Sequence, residues 1–217
     1  MGRRPALDLS LYLVTDAAMC HQFGLAATVS AAVGAGVTVV QLRDVDAGDD
    51  ELVGLGREVM AALRGTGVSL IVNDRVHLVE AIGAQGAHVG QSDVGIGQAR
   101  ALVGPTAYLG LSVQTMEHVA AAGRRADGEL DYLGVGPVWG TATKPDAAEP
   151  GGVELLGRIV SASPWPCVAI GGIDRERLAL VRGAGAAGAA VVSAICGQPD
   201  VVAATRELRA GWDGASG

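Results

Sequence analysis

The sequence predicts a single (β/α)8 TIM barrel, and three observations lead there. Short apolar runs rich in Val, Leu and Ile recur along the 217 residues. Alanine-rich stretches of helical length and period separate them, and a glycine-containing junction repeats where helix gives way to strand. The runs are apolar throughout rather than alternating, which is the pattern of parallel strands buried on both faces. A parallel strand needs a crossover before its neighbour, usually a helix. Eight runs in 217 residues leave about 27 residues per unit, a spacing that favours a closed barrel over an open doubly wound sheet.

In order, the expected strands are LYLV at 11–14, VTVV at 37–40, VSLIV at 68–72, AHV at 87–89, AYLGL at 107–111, YLGV at 132–135, CVAI at 167–170 and AAVV at 189–192. The stretches 25–33, 50–63 and 75–82 carry the helical period between the first of them. The junctions VGAGVTVVQLR, IGAQGAHVGQS and RGAGAAGAAVVS each place a glycine at the end of a helix, at Gly34, Gly83 and Gly183. Glycine suits a left-handed helix end because it has no Cβ to clash. No linker divides the chain, so residues 1–217 are expected to be one catalytic domain, with 1–9 and 213–217 as frayed tails.

Composition narrows the function. The chain is 49% hydrophobic and 18% charged, which excludes disorder, and its 33 glycines follow no G-x-y period, which excludes collagen. A net charge of −7 argues against sequence-independent nucleic-acid binding. Mean hydropathy is +0.34, yet Gly or charge interrupts every apolar stretch short of a membrane span. The start of the chain lacks the long apolar run and cleavage site of a signal peptide, so the expected location is cytoplasmic. Cys20, Cys167 and Cys196 lack metal or disulfide spacing and read as buried apolar residues in a reducing compartment. His21, His77, His88 and His118 show no metal-ligand spacing.

In a (β/α)8 barrel, chemistry sits where strands run into the following loops, and polar residues gather there. In order they are Thr15 and Asp16, Gln41 and Arg43, Asn73 and Asp74, Gln91 and Asp93, Ser112, Thr141 with Thr143 and Lys144, Gly171 with Gly172, and Ser193. The opposite junctions carry mostly Gly and Ala. The only lysine, Lys144, and the only asparagine, Asn73, both fall at this mouth. Asp74 and Asp93 follow adjacent strands, spaced about 4.8 Å in a sheet, so both can serve one Mg²⁺ whose remaining ligands are phosphate oxygens and waters. The competing reading makes Asp74 a helix cap and Asp93 a turn cap. Backbone N–H groups after the seventh and eighth strands form the recurrent phosphate pocket of this fold, and Thr141 and Thr143 add hydroxyl donors. Residues 137–152 form a long Pro/Gly-rich loop with the character of a lid. These residues point to an enzyme for phosphorylated or diphosphorylated small molecules.

YLVTD, VVQLRD, IVNDR, AHVGQSD, GLSVQT, GVGPVWGTATK, AIGGI and VVSAI, in this order from Tyr12 to about Ile195, resemble the thiamine-phosphate synthase family. The resemblance implies an alkyl transferase of thiamine biosynthesis that joins 4-amino-5-hydroxymethyl-2-methylpyrimidine diphosphate to 4-methyl-5-(2-phosphoethyl)thiazole and releases diphosphate. It implies Gln41, Arg43, Asn73, Ser112 and Lys144 as pyrimidine diphosphate contacts, with Arg43, Lys144 and Ser112 acting in catalysis. Asp74 and Asp93 match the family's Mg²⁺ ligands, and Thr141, Thr143, Gly172, Val192 and Ser193 match its thiazole phosphate site. The implied partners are those small molecules, with no nucleic acid and no membrane. Two positions depart from the pattern: Val45 stands where the family usually has a lysine contacting diphosphate, and Gln114 where relatives often carry histidine. A thiazole tautomerase of the same fold, or a ligand-binding relative without activity, are the alternatives. The missing histidine disfavours the tautomerase, because an amide is no general base.

Overall fold

The structure, a computed structural model, describes residues 5–124, 129–141, 143 and 148–214. Eight parallel strands close into a barrel in sequence order: β1 (Leu11–Val14), β2 (Val39–Leu42), β3 (Ser69–Asn73), β4 (Gly86–Val89), β5 (Tyr108–Val113), β6 (Tyr132–Val135), β7 (Cys167–Ile170) and β8 (Gly188–Val191). Closure is made by β1 against β8, with Tyr12 opposite Ala190. The crossovers are α1 (Leu25–Gly34), α2 (Asp49–Ala62), α3 (Val79–Ile82), α4 (Ile96–Val103), α5 (Met116–Gly123), α6 (Gly152–Ala162), α7 (Leu178–Gly183) and α8 (Val201–Asp213). No helix among the described residues is long and apolar enough to cross a membrane.

The outward and inward faces of the strands pack into two separate clusters, the inward one interrupted by polar side chains near the mouth. The outer faces pack Leu13, Leu42, Leu70, Leu109 and Leu133 against the helices, with Leu52, Leu156 and Ile159 opposite them. Each such side chain contributes about 1.5–3 kcal/mol on full burial, so this shell is the main stabiliser. Inside the barrel, Tyr12, Val14, Val39, Ile71, Tyr132, Val168 and Ala190 cluster with Leu9. Cys20, Cys167 and Cys196 are buried with free thiols.

The departures from the expected elements have local causes. The second strand begins at Val39 rather than residue 37, because the ladder starts where Tyr12 can pair with Val39. It runs on through Gln41, whose polar side chain hides the strand's end in the sequence. The helix expected at 75–82 is a 3-10 turn, Val76–Leu78, leading into α3. Arg75 N–H donates to the Asn73 carbonyl at 2.6 Å, so the chain turns too tightly there to enter an α-helix directly. Of the glycines expected at helix ends, Gly83 is left-handed, with φ of 80°; after α1 and α7 the positive φ falls later, at Gly36 and Gly185. Of the expected frayed tails, residues 1–4 and 215–217 lie outside the described residues, and the described ends depart from the expectation at Leu9 and Asp213. Leu9 is 3% exposed and, with Leu7 beside it, plugs the bottom of the barrel; α8 extends to Asp213, which Arg209 holds in an ion pair. An unplugged barrel would leave its interior cluster open to water.

Candidate active site

The polar residues expected at one mouth lie at the C-terminal ends of consecutive strands. Gln41 is buried in β2, while Asn73 ends β3 and Ser112 lies near the end of β5, both half-buried. Asn73 is in register with His88, and Ser112 with Gly134. Arg43 is half-buried just past β2, where the Thr15 hydroxyl accepts its backbone N–H at 3.0 Å and donates to its carbonyl at 3.3 Å. Gln91 caps β5 by donating from Nε2 to the Ser112 carbonyl at 2.6 Å. Lys144 lies outside the described residues.

Asp74 and Asp93 are both exposed, Asp74 directly after β3 and Asp93 in the loop that follows the adjacent strand β4. Asp74 N–H donates to the His88 carbonyl at 2.8 Å, extending the ladder by one residue. With φ of 57°, Asp74 is the one non-glycine residue with positive φ among those described. Such strain persists only where surrounding structure enforces it. The 3-10 turn that follows starts from Arg75, whose own side chain makes no cap hydrogen bond. Asp93 does close a turn, accepting Gly90 N–H on Oδ2 at 2.7 Å. Among the described residues, no group of three or more His, Cys, Asp and Glu is arranged to hold a metal. Two exposed carboxylates are an incomplete donor set, and that suits Mg²⁺, which retains waters and draws the rest of its shell from substrate phosphates.

The expected phosphate residues assemble across the sixth and seventh strands. Thr141 and Thr143 hydroxyls hydrogen-bond each other at 2.9 Å. Val138 N–H and Trp139 N–H donate to the carbonyls of Ile170 and Gly171, binding the loop after β6 to the end of β7. Gly172, with φ of 61°, lies so close beneath that loop that a Cβ would sit 2.5 Å from the Gly140 carbonyl. Arg177, which sequence reasoning passed over, donates to the Gly172 carbonyl and lies 5.1 Å over the Trp139 ring. Val192 and Ser193 follow the neighbouring strand β8, where Gln198 Nε2 holds the Ser193 carbonyl at 2.7 Å.

The sequence reading also missed the layer beneath the mouth. Gln41 Nε2 donates to the Tyr12 hydroxyl at 2.9 Å, which bonds the Tyr132 hydroxyl at 2.9 Å. Tyr132 bonds His88 Nδ1 at 3.1 Å, and His88 Nε2 bonds Ser112 Oγ at 2.9 Å. Burial pushes both phenols well above their ordinary value of 10.0, so they stay neutral. The sequence showed no nucleophile–histidine pairing, yet Ser112 and His88 form one. The signals available were a lone His inside the apolar AHV run and tyrosines inside two others.

The sequence matches the family model described as thiamine monophosphate synthase over residues 11–195. It is 46% identical over 202 residues to a thiamine-phosphate synthase of Azorhizobium caulinodans, covering 93% of this chain and 94% of that one. It is 46% identical over 192 residues to one from a Psychrobacter species, covering 88% and 90%. Among solved structures, a thiamine phosphate pyrophosphorylase from Pyrococcus furiosus superposes with a TM-score of 0.86 at 33% identity, over 97% of this chain and 98% of that one.

Proposed function

The chain belongs to the thiamine monophosphate synthase family, and from that premise we infer that its barrel mouth transfers the pyrimidinyl-methyl group of 4-amino-5-hydroxymethyl-2-methylpyrimidine diphosphate to the ring nitrogen of 4-methyl-5-(2-phosphoethyl)thiazole. The products are thiamine phosphate and diphosphate. What supports this reading is that, in a chain matching the family over residues 11–195, the described residues expected to contact the two anions end or follow β2–β5 and β6–β8 at one mouth of the barrel. One anion would be the leaving diphosphate and the other the phosphate that anchors the nucleophile.

In the proposed reaction the C–O bond to diphosphate breaks and its electron pair departs with the diphosphate. The thiazole nitrogen then captures the pyrimidinyl-methyl cation, forming the new C–N bond. Arg43 and Lys144 neutralise charge gathering on the departing group, which is where preorganised cations lower a barrier most. Asp74 and Asp93 would hold Mg²⁺, which when bound neutralises diphosphate oxygens. Gln41, Asn73 and Ser112 hold the pyrimidine half. Thr141, Thr143, Gly172, Val192 and Ser193 fix the thiazole phosphate, so that the nitrogen waits beside the reacting carbon.

The reaction needs no general base, and the tautomerase reading gains nothing from the structure. Gln114 occupies the histidine position, and His118 has its Nδ1 committed to the Gln114 backbone N–H at 3.3 Å. The decisive experiment incubates purified protein with both substrates and Mg²⁺ and measures thiamine phosphate. Tight binding of both substrates without product would sink the transferase reading and favour a ligand-binding relative.

A further inference from the structure

Five side chains from β2, β1, β6, β4 and β5 make one unbroken hydrogen-bonded chain beneath the mouth: Gln41, Tyr12, Tyr132, His88 and Ser112. Both of its ends are residues assigned to the pyrimidine, and its middle members are 1%, 1% and 7% exposed. The space for it is cut into the neighbouring strands. A Cβ on Gly110 would lie 2.2 Å from Tyr132 Cζ and 2.4 Å from His88 Nδ1, and one on Gly134 would lie 2.8 Å from His88 Cε1.

A phenol oxygen accepts as well as donates, and it is the requirement that every buried proton find an acceptor that sets the sense of each link from the first. The Gln41 amide donates to Tyr12, so Tyr12 gives its proton to Tyr132, and Tyr132 gives its own to His88 Nδ1. The imidazole is then neutral, carries its proton on Nε2 and donates it to Ser112 Oγ. Ser112 is left with its hydroxyl proton to offer the mouth, and Gln41 with Oε1 as an acceptor. This reverses the order of a catalytic triad, where Nδ1–H donates to a carboxylate and the bare Nε2 faces the serine as a base.

We propose that Tyr12, Tyr132 and His88 are positioning residues that fix the hydrogen-bond polarity of the ring subsite, with Gln41 as acceptor and Ser112 as donor. The site therefore selects a heteroaromatic ring that pairs an exocyclic amino donor with a ring-nitrogen acceptor. The assignment rests on the aminopyrimidine reading of the site. A ring bearing an oxo group in place of the amino group would meet Gln41 acceptor to acceptor, and an unpaired polar group in such a site is strongly rejected.

Two measurements test it. Nitrogen-15 NMR of the labelled intact protein near pH 7 is expected to show His88 protonated on Nε2 alone; an Nδ1–H tautomer or an imidazolium overturns the proposal. The second compares 4-amino with 4-oxo pyrimidine diphosphates, by calorimetric binding and by turnover, in the parent and in the near-isosteric variants Tyr132→Phe and Tyr12→Phe. Each variant is expected to lose about tenfold or more of the amino-over-oxo preference. The KM for the aminopyrimidine should rise while the KM for thiazole phosphate stays within about twofold. Equal losses for both pyrimidines, or an unchanged preference in either variant, overturn it. Parent protein that prefers the aminopyrimidine yet makes no thiamine phosphate would defeat the transferase reading and leave this assignment standing.

Discussion

Replacing Gly110 by alanine adds one methyl group to the inner face of β5, and its cost follows from the surroundings. The new Cβ would sit 2.2 Å from Tyr132 Cζ and 2.4 Å from His88 Nδ1, and neither ring has a free direction in which to retreat. Overpacking a filled core costs about 1–3 kcal/mol. Pushing Tyr132 from His88 strands a buried donor and acceptor, a further loss of about 1–3 kcal/mol. The total, roughly 2–6 kcal/mol, is a large share of the 5–15 kcal/mol typical of a domain. Gly134→Ala is milder, about 1–2 kcal/mol, because its Cβ would meet only the His88 ring, at 2.8 Å and 3.2 Å. Gly54→Ala reverses the sign. Nothing lies within 4 Å of its Cβ position on α2, so alanine should gain about 0.5–1 kcal/mol in the helix interior. Urea denaturation followed by circular dichroism reads the series. At a slope of about 3 kcal/mol/M, the Gly110 variant should lose roughly 0.7–2 M in midpoint. A Gly110→Ala midpoint equal to the parent's, or below the parent by no more than Gly134→Ala, would refute the packing argument.

Other expectations concern the mouth and the ends of the barrel. Asp93→Asn should lower turnover at least about tenfold while leaving thiazole phosphate affinity within about twofold, as read by steady-state kinetics and calorimetry; equal losses would contradict two separate anion sites. Chelation of divalent cations should abolish product formation and readdition of Mg²⁺ should restore it, measured as thiamine phosphate formed. Val45, 62% exposed beyond β2, stands in a lysine position, so Val45→Lys should raise kcat/KM for the pyrimidine diphosphate; no change would mean that another cation already serves. The Arg209 guanidinium beside Asp213 holds that carboxyl below its ordinary 3.8. The stability this pair contributes is present above that value and lost as pH falls through the lowered one, so Arg209→Gln should flatten acid unfolding in that range.

The sequence made the repeating unit legible because a strand buried on both faces must be apolar at every position, and the interruptions then stand out. Those same interruptions located the mouth: Asn73, Asp74, Asp93 and Ser112 each end or follow an apolar run. Gln41 shows the limit of that reading, since a polar residue inside a ladder looks like the end of a strand. His88 and Tyr132 show it more sharply. Their role depends on pairing across the barrel, β4 to β6, and no spacing along the chain reports which inward residues meet. The same holds for Gly110 and Gly134, which in sequence are weak points in two strands and in space are the room that two rings occupy. Arg177 was hidden differently, as one arginine in a charged RER segment whose contact with Trp139 exists only after the loop beyond β6 folds onto β7.

The glycine content therefore carries a third meaning besides helix ends and phosphate turns. A barrel this small has a narrow interior, and filling it with aliphatic side chains alone would stabilise it most. It instead spends interior volume on two phenols and an imidazole, and gives up side chains on β5 and β6 to seat them. Burying those polar groups costs more than an apolar filling unless every one is paired, and the chain from Gln41 to Ser112 pairs them. A fold that accepts such a cost directly beneath its mouth is holding the two end groups in one orientation. That is what discrimination between an amino and an oxo ring requires, and it explains why the polar chain stops at Gln41 and Ser112 rather than continuing to solvent at the bottom of the barrel, which Leu9 closes.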